Sequence, residues 1–299
     1  MTLSNLFEQV FNGLQYGMLL FLMAMGVTLI FGVMRLVNLA HGSMFMVGGY
    51  LASSGLQASG SVWVAIACAL VGSAVLGAVL EILVIRPLYQ RGHLDQLLAT
   101  FGVTLTLNEL VVVIWGREPV FMPVPALLTG QVSLLGVPYP VYRLVITGVA
   151  VLTGLILIWL VSRTRFGMLV RAGADNRTMV AGLGVNVVLL YTLVFSLAAV
   201  LAGLAGMMSG PLISMQPAVG DPILILTLSV VCIGGFGSVR GALVASLLIC
   251  LLDTFGRIFA PQWFGAIGNT LANMLVYIIM ALVLFFKPAG LFTLTGKKA

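Results

Sequence analysis

The chain has very little charge. Of 299 residues, 14 are Lys or Arg and 8 are Asp or Glu, so charged side chains make up 7%. A soluble domain carries about a quarter. This chain therefore cannot cover a water-facing surface of its own size. Histidine is scarce too: His41 and His93 are the only two. The three cysteines, Cys68, Cys232 and Cys250, lie inside apolar runs with no C-x-x-C spacing, which argues against a disulfide framework or a metal site. No H-E-x-x-H, G-x-S or Walker A string occurs. The first two absences exclude zinc proteases and motif-bearing serine hydrolases, and the third excludes P-loop ATP hydrolysis. No enzyme is expected, and no cofactor in this chain. The beginning of the sequence lacks the basic n-region of a secretory signal.

What is present is apolar. Hydrophobic residues reach 61% and mean hydropathy is +1.18. A net charge of +6 on such a chain is a topology signal and does not point to nucleic acid, because the basic residues sit in short gaps between apolar runs. The chain is expected to be an all-α, polytopic bundle facing membrane lipid, a single transmembrane domain over 1–299. A membrane span needs about twenty apolar residues in helical form. Clear spans fall at roughly 10–34, 62–84, 97–115, 142–161, 187–209, 241–260 and 267–286. Two further segments, 38–56 and 222–237, are apolar but interrupted by glycine and polar residues, the pattern of broken or re-entrant helices lining a cavity. The total is eight to nine spans.

Residues 163–177 hold four arginines, which places this connection in the cytoplasm. Arg86, Arg91, Lys287, Lys297 and Lys298 then fall on the same side, and the proline-rich loop 117–141 falls outside. If 38–56 fully crosses, the chain has nine crossings and its N-terminus is outside; if it is re-entrant, the parity changes and one weak span must be reassigned. The wider basic segment 163–186 has the composition of an amphipathic helix-turn-helix. It can lie on anionic headgroups or dock a cytosolic partner, with Phe166 and Leu169 as its apolar anchor. Among intramembrane carboxylates, Glu81 precedes Arg86 at a span end and reads as interfacial, and Asp253 and Arg257 are spaced for an i, i+4 ion pair. Glu109 lies deeper. Small residues four apart (Gly13/Gly17, Ala202/Gly206, Gly206/Gly210, Gly237/Gly241) suit close helix packing.

Several strings together resemble the branched-chain amino-acid permeases of the LivH type, within the ABC importers. They are Arg165-Phe166-Gly167, Arg171-Ala172, Asp175-Asn176, Ala181-Gly182 and Leu183-Gly184 in the basic segment. Val37-Asn38-Leu39-Ala40-His41-Gly42, Gly234-Gly235-Phe236-Gly237-Ser238 with Gly241-Ala242, and Lys287 to Phe292 belong to the same pattern. The resemblance runs nearly end to end. Ser43 departs from an acidic residue frequent in that position, and Arg240 from a proline. The resemblance implies a bacterial inner-membrane subunit that imports a small amino acid, an amide or urea. Its partners would be a second permease subunit (a LivM-like paralogue or itself), two cytosolic ATPases that bind the ATP, and a periplasmic solute-binding protein. It further implies a path lined by Asn38, His41, Gly42, Ser43, Gly234, Gly235, Gly237 and Ser238. Coupling to the ATPases would run through Arg163, Arg165, Phe166, Gly167, Arg171, Ala172, Asp175, Asn176 and Gly182. An ion-coupled secondary transporter and a sugar-type ABC permease are the alternatives.

Overall fold

A computed structural model describes residues 3–134 and 137–292. Lys297 and Lys298, expected with the other cytoplasmic lysine, lie outside the described residues. The chain is almost wholly helical. Its long apolar runs form α1 (Leu3–Met34), α2 (His41–Ser59), α3 (Val62–Leu80), α4 (His93–Trp115), α5 (Val141–Arg163), α8 (Val187–Ser209), α9 (Gly220–Gly234), α10 (Val239–Phe264) and α11 (Gly268–Phe286). The basic segment forms two short helices, α6 (Arg165–Asp175) and α7 (Arg177–Gly182). The proline-rich loop contains a small antiparallel hairpin, β1 (Gln131–Leu134) and β2 (Val137–Pro140), in which Val132 pairs with Tyr139.

Six helical segments are long and apolar enough to cross a membrane, and the last of them, Val239–Phe286, is folded as α10 and α11. The bundle has two distinct ends. At one, Arg86 donates to Thr192 near the start of α8, and the Arg177 guanidinium lies 5.0 Å from the Tyr89 ring and 5.3 Å from that of Tyr191. At the other, Tyr139 of the hairpin donates to Phe11 O, Tyr142 donates to Met208 O, and Val120 bridges Met215. The two arginine-bearing connections thus share one end, and the proline-rich loop caps the opposite end beside the start of α1.

Two passes are broken. After α1, residues 35–40 leave the helical path and turn back into the bundle. There the His41 ring packs on Gly26 and its Nε2 lies 3.2 Å from Met23 O. From that level α2 runs to the hairpin end, where Trp115 donates to Ser54. After α8, residues 210–219 enter from the hairpin end, and α9 runs on to the arginine end, where the Phe236 and Phe31 rings stand 4.2 Å apart. The two non-glycine residues with left-handed backbone are Arg35 (φ 53°) and Ala218 (φ 64°), one in each break. The two units, α1–break–α2 and α8–break–α9, therefore run in opposite directions, the arrangement of an inverted repeat. With seven unbroken long helices, the two broken passes make nine crossings among the described residues. The interruption expected within 38–56 lies before α2, which is itself continuous.

Packing follows from small residues. In lipid no hydrophobic effect drives helices together, so close backbone approach must supply the contact. Gly48 of α2 faces Gly203 of α8, and Gly206 faces the Phe45 carbonyl, with no space for a Cβ at either. Gly13 and Gly17 of α1 lie against Leu251 and Leu247 of α10. Helix α1 is the centre of the bundle: Met18 to Met25 are all buried, as are Val27, Leu29 and Ile30.

Candidate functional site

Helices α2 and α9 begin at the same level, and their first turns touch. Gly42 and Gly220 abut backbone to backbone, so a side chain at either would collide with the other's carbonyl. The first backbone amides of any helix lack intrahelical acceptors. Here two sets of such amides, each at the positive end of a helix dipole, meet inside an apolar bundle. Asn38 is buried, and its Oδ1 accepts from Ala40 N at 3.0 Å, which holds the chain as it enters α2. Asn38 Nδ2 and His41 Nδ1 are buried without a partner. Ser43, fully buried, donates to Asn108 Oδ1 at 3.5 Å, and Asn108 Nδ2 donates to Asp221 Oδ2 at 3.3 Å. Asp221 Oδ1 is buried with no hydrogen-bond partner.

Asp221 and Asn108 were not among the residues picked out from the sequence. Asp221-Pro222 immediately after Gly220 is a helix-start signature, acid and proline in the first turn, and it was available to be read. The partnership with Asn108, 113 positions away in the chain, was not.

The second expected group lies elsewhere. Gly234, Gly235, Gly237 and Ser238 form the turn from α9 to α10 at the arginine end, a helix length from Gly42. Gly235 (φ 99°) and Gly237 (φ 80°) adopt left-handed backbone, and Gly234 packs against Gly241. Ser238 Oγ accepts from Gly241 N at 3.0 Å and caps α10. The Leu291 and Phe292 amides donate to Ile233 O and Gly234 O, fastening the tail beneath this turn. Gly237 also lines a cavity of about 580 Å³ with Phe31, Arg35, His93, Gln96 and Asp175. At the hairpin end a cavity of about 500 Å³ reaches Val219 and Pro222, on either side of Gly220 and Asp221. The two expected groups are thus joined by α9 and do not form one cluster.

The basic segment is a helix-turn-helix, as expected. Thr164 Oγ1 accepts from Gly167 N at 3.1 Å and Asn176 Oδ1 from Met179 N at 3.0 Å, capping α6 and α7. Gly167 presses on the carbonyls of Leu160 and Val161, and Arg171 donates to Val161 O, so the α5–α6 corner is tight. Arg163, Arg165, Arg171, Ala172, Asp175, Asn176 and Gly182 are exposed. Phe166 and Leu169 differ from expectation: they pack inward on the hydrophobic core. The exposed apolar side chains are Met168, Met179 and Leu183. An 11-residue helix with a strong apolar stripe must bury that stripe on its own bundle first, and its outer face carries the methionines.

Glu81 also differs from the interfacial carboxylate expected. It is fully buried in a single π turn that continues α3, with Arg86 at 2.9 Å, Thr192 donating at 2.7 Å and Tyr89 donating as well. Tyr89 lies in the connection beyond this turn. Burial, then its bond to Glu81, raises the hydroxyl's pKa far above the ordinary phenol range, so it is a permanent donor. Asp253 and Arg257 form the expected ion pair at 2.9 Å.

A bundle of nine crossings, arranged as two inverted units whose broken passes meet near its middle, is a polytopic membrane permease. The chain belongs to the family described as branched-chain amino acid transport system / permease component, whose model matches residues 9–284, and is a LivH-type ABC permease. It is 28% identical to the high-affinity branched-chain amino acid transport system permease protein BraD of Pseudomonas aeruginosa, over 95% of this chain and 94% of that one. To the corresponding LivH protein of Escherichia coli K12 it is 24% identical over the same shares. The ribose import permease protein RbsC of Escherichia coli K12 is 29% identical over 84% of this chain and 77% of its own. No solved structure matches.

Proposed function

We propose that the chain is one of two membrane-spanning subunits of an ATP-driven importer in the bacterial inner membrane. It receives a branched-chain amino acid from a periplasmic solute-binding protein. The observation that carries this is the match to branched-chain permeases along nearly the whole chain. The ribose relative covers less of both chains, which disfavours the sugar-type reading. An ion-coupled carrier is disfavoured because the family and the relatives are branched-chain permease components; Glu81 and Asp253 are paired with Arg86 and Arg257, while Asp221 has no cationic partner among the described residues.

In this reading the exposed face of α6 and α7, with Arg165, Arg171, Met168 and Met179, sits in a groove on a cytosolic ATPase. Closure of the ATPase pair is transmitted through the tight α5–α6 corner. Opening to either side alternates about the junction of α2 and α9, and Asn38, Ser43 and the backbone near Gly42 offer weak polar contacts along the path. Binding along the path must stay weak enough to allow release. The test is reconstitution in proteoliposomes with a second permease subunit, the ATPases and the binding protein. Leucine uptake should require internal ATP, and the isolated chain should show no ATPase activity. Uptake driven by a proton gradient without ATP, or vanadate-sensitive hydrolysis by the chain alone, would refute this function.

A further inference from the structure

Asp221 is the one carboxylate at the junction, and its circumstances are unusual. Acidic side chains inside membrane proteins face the protein interior or a watery cavity, and normally pair with a cation. The ion pairs among the described residues are Arg86–Glu81 and Arg257–Asp253, so Asp221 has no cationic partner there. Its Oδ2 accepts from Asn108, while its Oδ1 is buried and unpartnered. Asp221 stands in the first turn of α9, where the helix dipole stabilises negative charge. Ser43 holds the Asn108 amide oxygen, which leaves the amide nitrogen turned toward Asp221 and fixes the carboxylate's orientation. A buried, oriented carboxylate oxygen with no partner is an acceptor that lacks its donor.

The surroundings show where that donor comes from. Asp221 and Asn108 are only half-buried, on a side of the bundle where Leu105, Leu110 and Ile225 are exposed. A carboxylate on that side cannot face hydrocarbon, so in the assembled transporter it faces water or a second subunit. At the same level Gly42 of α2 abuts Gly220, so Asp221 stands beside the start of both broken passes.

We propose that Asp221, oriented by Asn108 and Ser43, receives the ammonium group of the amino acid during translocation, on a path completed by the neighbouring subunit. This rests on the importer reading above. The test uses the complete transporter in proteoliposomes, measuring ATP hydrolysis and leucine uptake in the same preparation. Asp221→Asn keeps shape and hydrogen bonding to Asn108 but removes the charge. Uptake should fall about tenfold or more, as expected when a charge-assisted bond becomes neutral. Hydrolysis stimulated by the loaded binding protein should stay near wild type, so ATP consumed per leucine rises. Asp221→Glu should restore uptake to within about threefold. Asn108→Leu, which removes only the orienting amide, should raise the same ratio by a smaller factor, and it serves as the decisive variant if Asp221→Asn fails to assemble. Wild-type uptake by Asp221→Asn overturns the proposal, as does a parallel loss of uptake and hydrolysis without rescue by Glu. Either result leaves the importer reading intact. Absence of ATP-dependent uptake in the wild type would instead refute that reading.

Discussion

Removing Arg86 strands a buried charge. Glu81 is fully buried while the Arg86 side chain is 37% exposed, so the two partners are not equivalent. In Arg86→Ala the carboxylate keeps the hydroxyls of Thr192 and Tyr89 but loses its only cation. Breaking a buried pair in this way costs about 3–5 kcal/mol. The surviving hydroxyl donors and the partial exposure of Arg86 place this case near the lower bound, about 3 kcal/mol. In Glu81→Gln the guanidinium can rehydrate at the bundle end, and the expected cost is that of weakened hydrogen bonds, about 1–2 kcal/mol. Replacing both by Met should come close to wild type, because a well-packed apolar pair avoids the desolvation of two ions. The assay is thermal unfolding of the detergent-solubilised chain, with the exposed Arg91→Ala as control. At about 2–4 °C per kcal/mol, Arg86→Ala should unfold roughly 6–12 °C below wild type and Glu81→Gln by roughly half of that or less. If Glu81→Gln is the more damaging, or if Arg86→Ala matches Arg91→Ala, the buried carboxylate is not held as an anion and the reasoning fails.

Two further outcomes are expected. Arg165→Glu or Met179→Asp should leave the chain folded in the membrane, weaken its co-purification with the ATPase by about 2–5 kcal/mol for a charge placed wrongly at a buried contact, and abolish uptake; Phe166→Ala should lower the unfolding temperature instead, since that ring packs on the core. Gly203→Val has no space beside Ser73 and should cost about 3 kcal/mol or more through overpacking, whereas Gly148→Val in α5, with nothing within 4 Å, should be silent in the same fluorescence size-exclusion assay.

The long helices were legible because hydrophobic length alone specifies a span, and every clear run found in the sequence is a helix in the structure. The glycine-interrupted segments were legible as broken passes, since lipid does not tolerate unpaired backbone unless protein surrounds it. Where the breaks fall was not. His41 to Ser59 reads as polar and small, yet it is one regular helix because Gly48 and Ser53 face close neighbours and the backbone never needs to open. Its polar start, Asn38 to Ser43, is where the chain re-enters the bundle. In the basic segment the composition announced two amphipathic helices, but not which face turns inward. Phe166 and Leu169 looked like a docking anchor because they are the largest apolar residues beside the arginines. The bundle itself was the nearer partner.

The part of the site that escaped notice entirely depends on distance along the chain. A lone Asp beside a proline is a common helix start, and nothing local distinguishes Asp221 from the many that simply face water. What distinguishes it is Asn108, carried there on α4. That helix is buried at only a few positions, Thr100, Thr104, Leu107 and Val111, along one narrow stripe. Its other faces are open and mostly apolar, with Glu109, expected to lie deep, exposed among them, while the end of its polar contact chain reaches a carboxylate that lipid would not tolerate. A helix so lightly held by its own chain, yet needed to orient Asp221, takes the rest of its support from outside the chain. On the importer reading proposed above, assembly with a second permease subunit would also complete the path: α4 and the start of α9 would gain neighbours, and Asp221 a surface other than hydrocarbon.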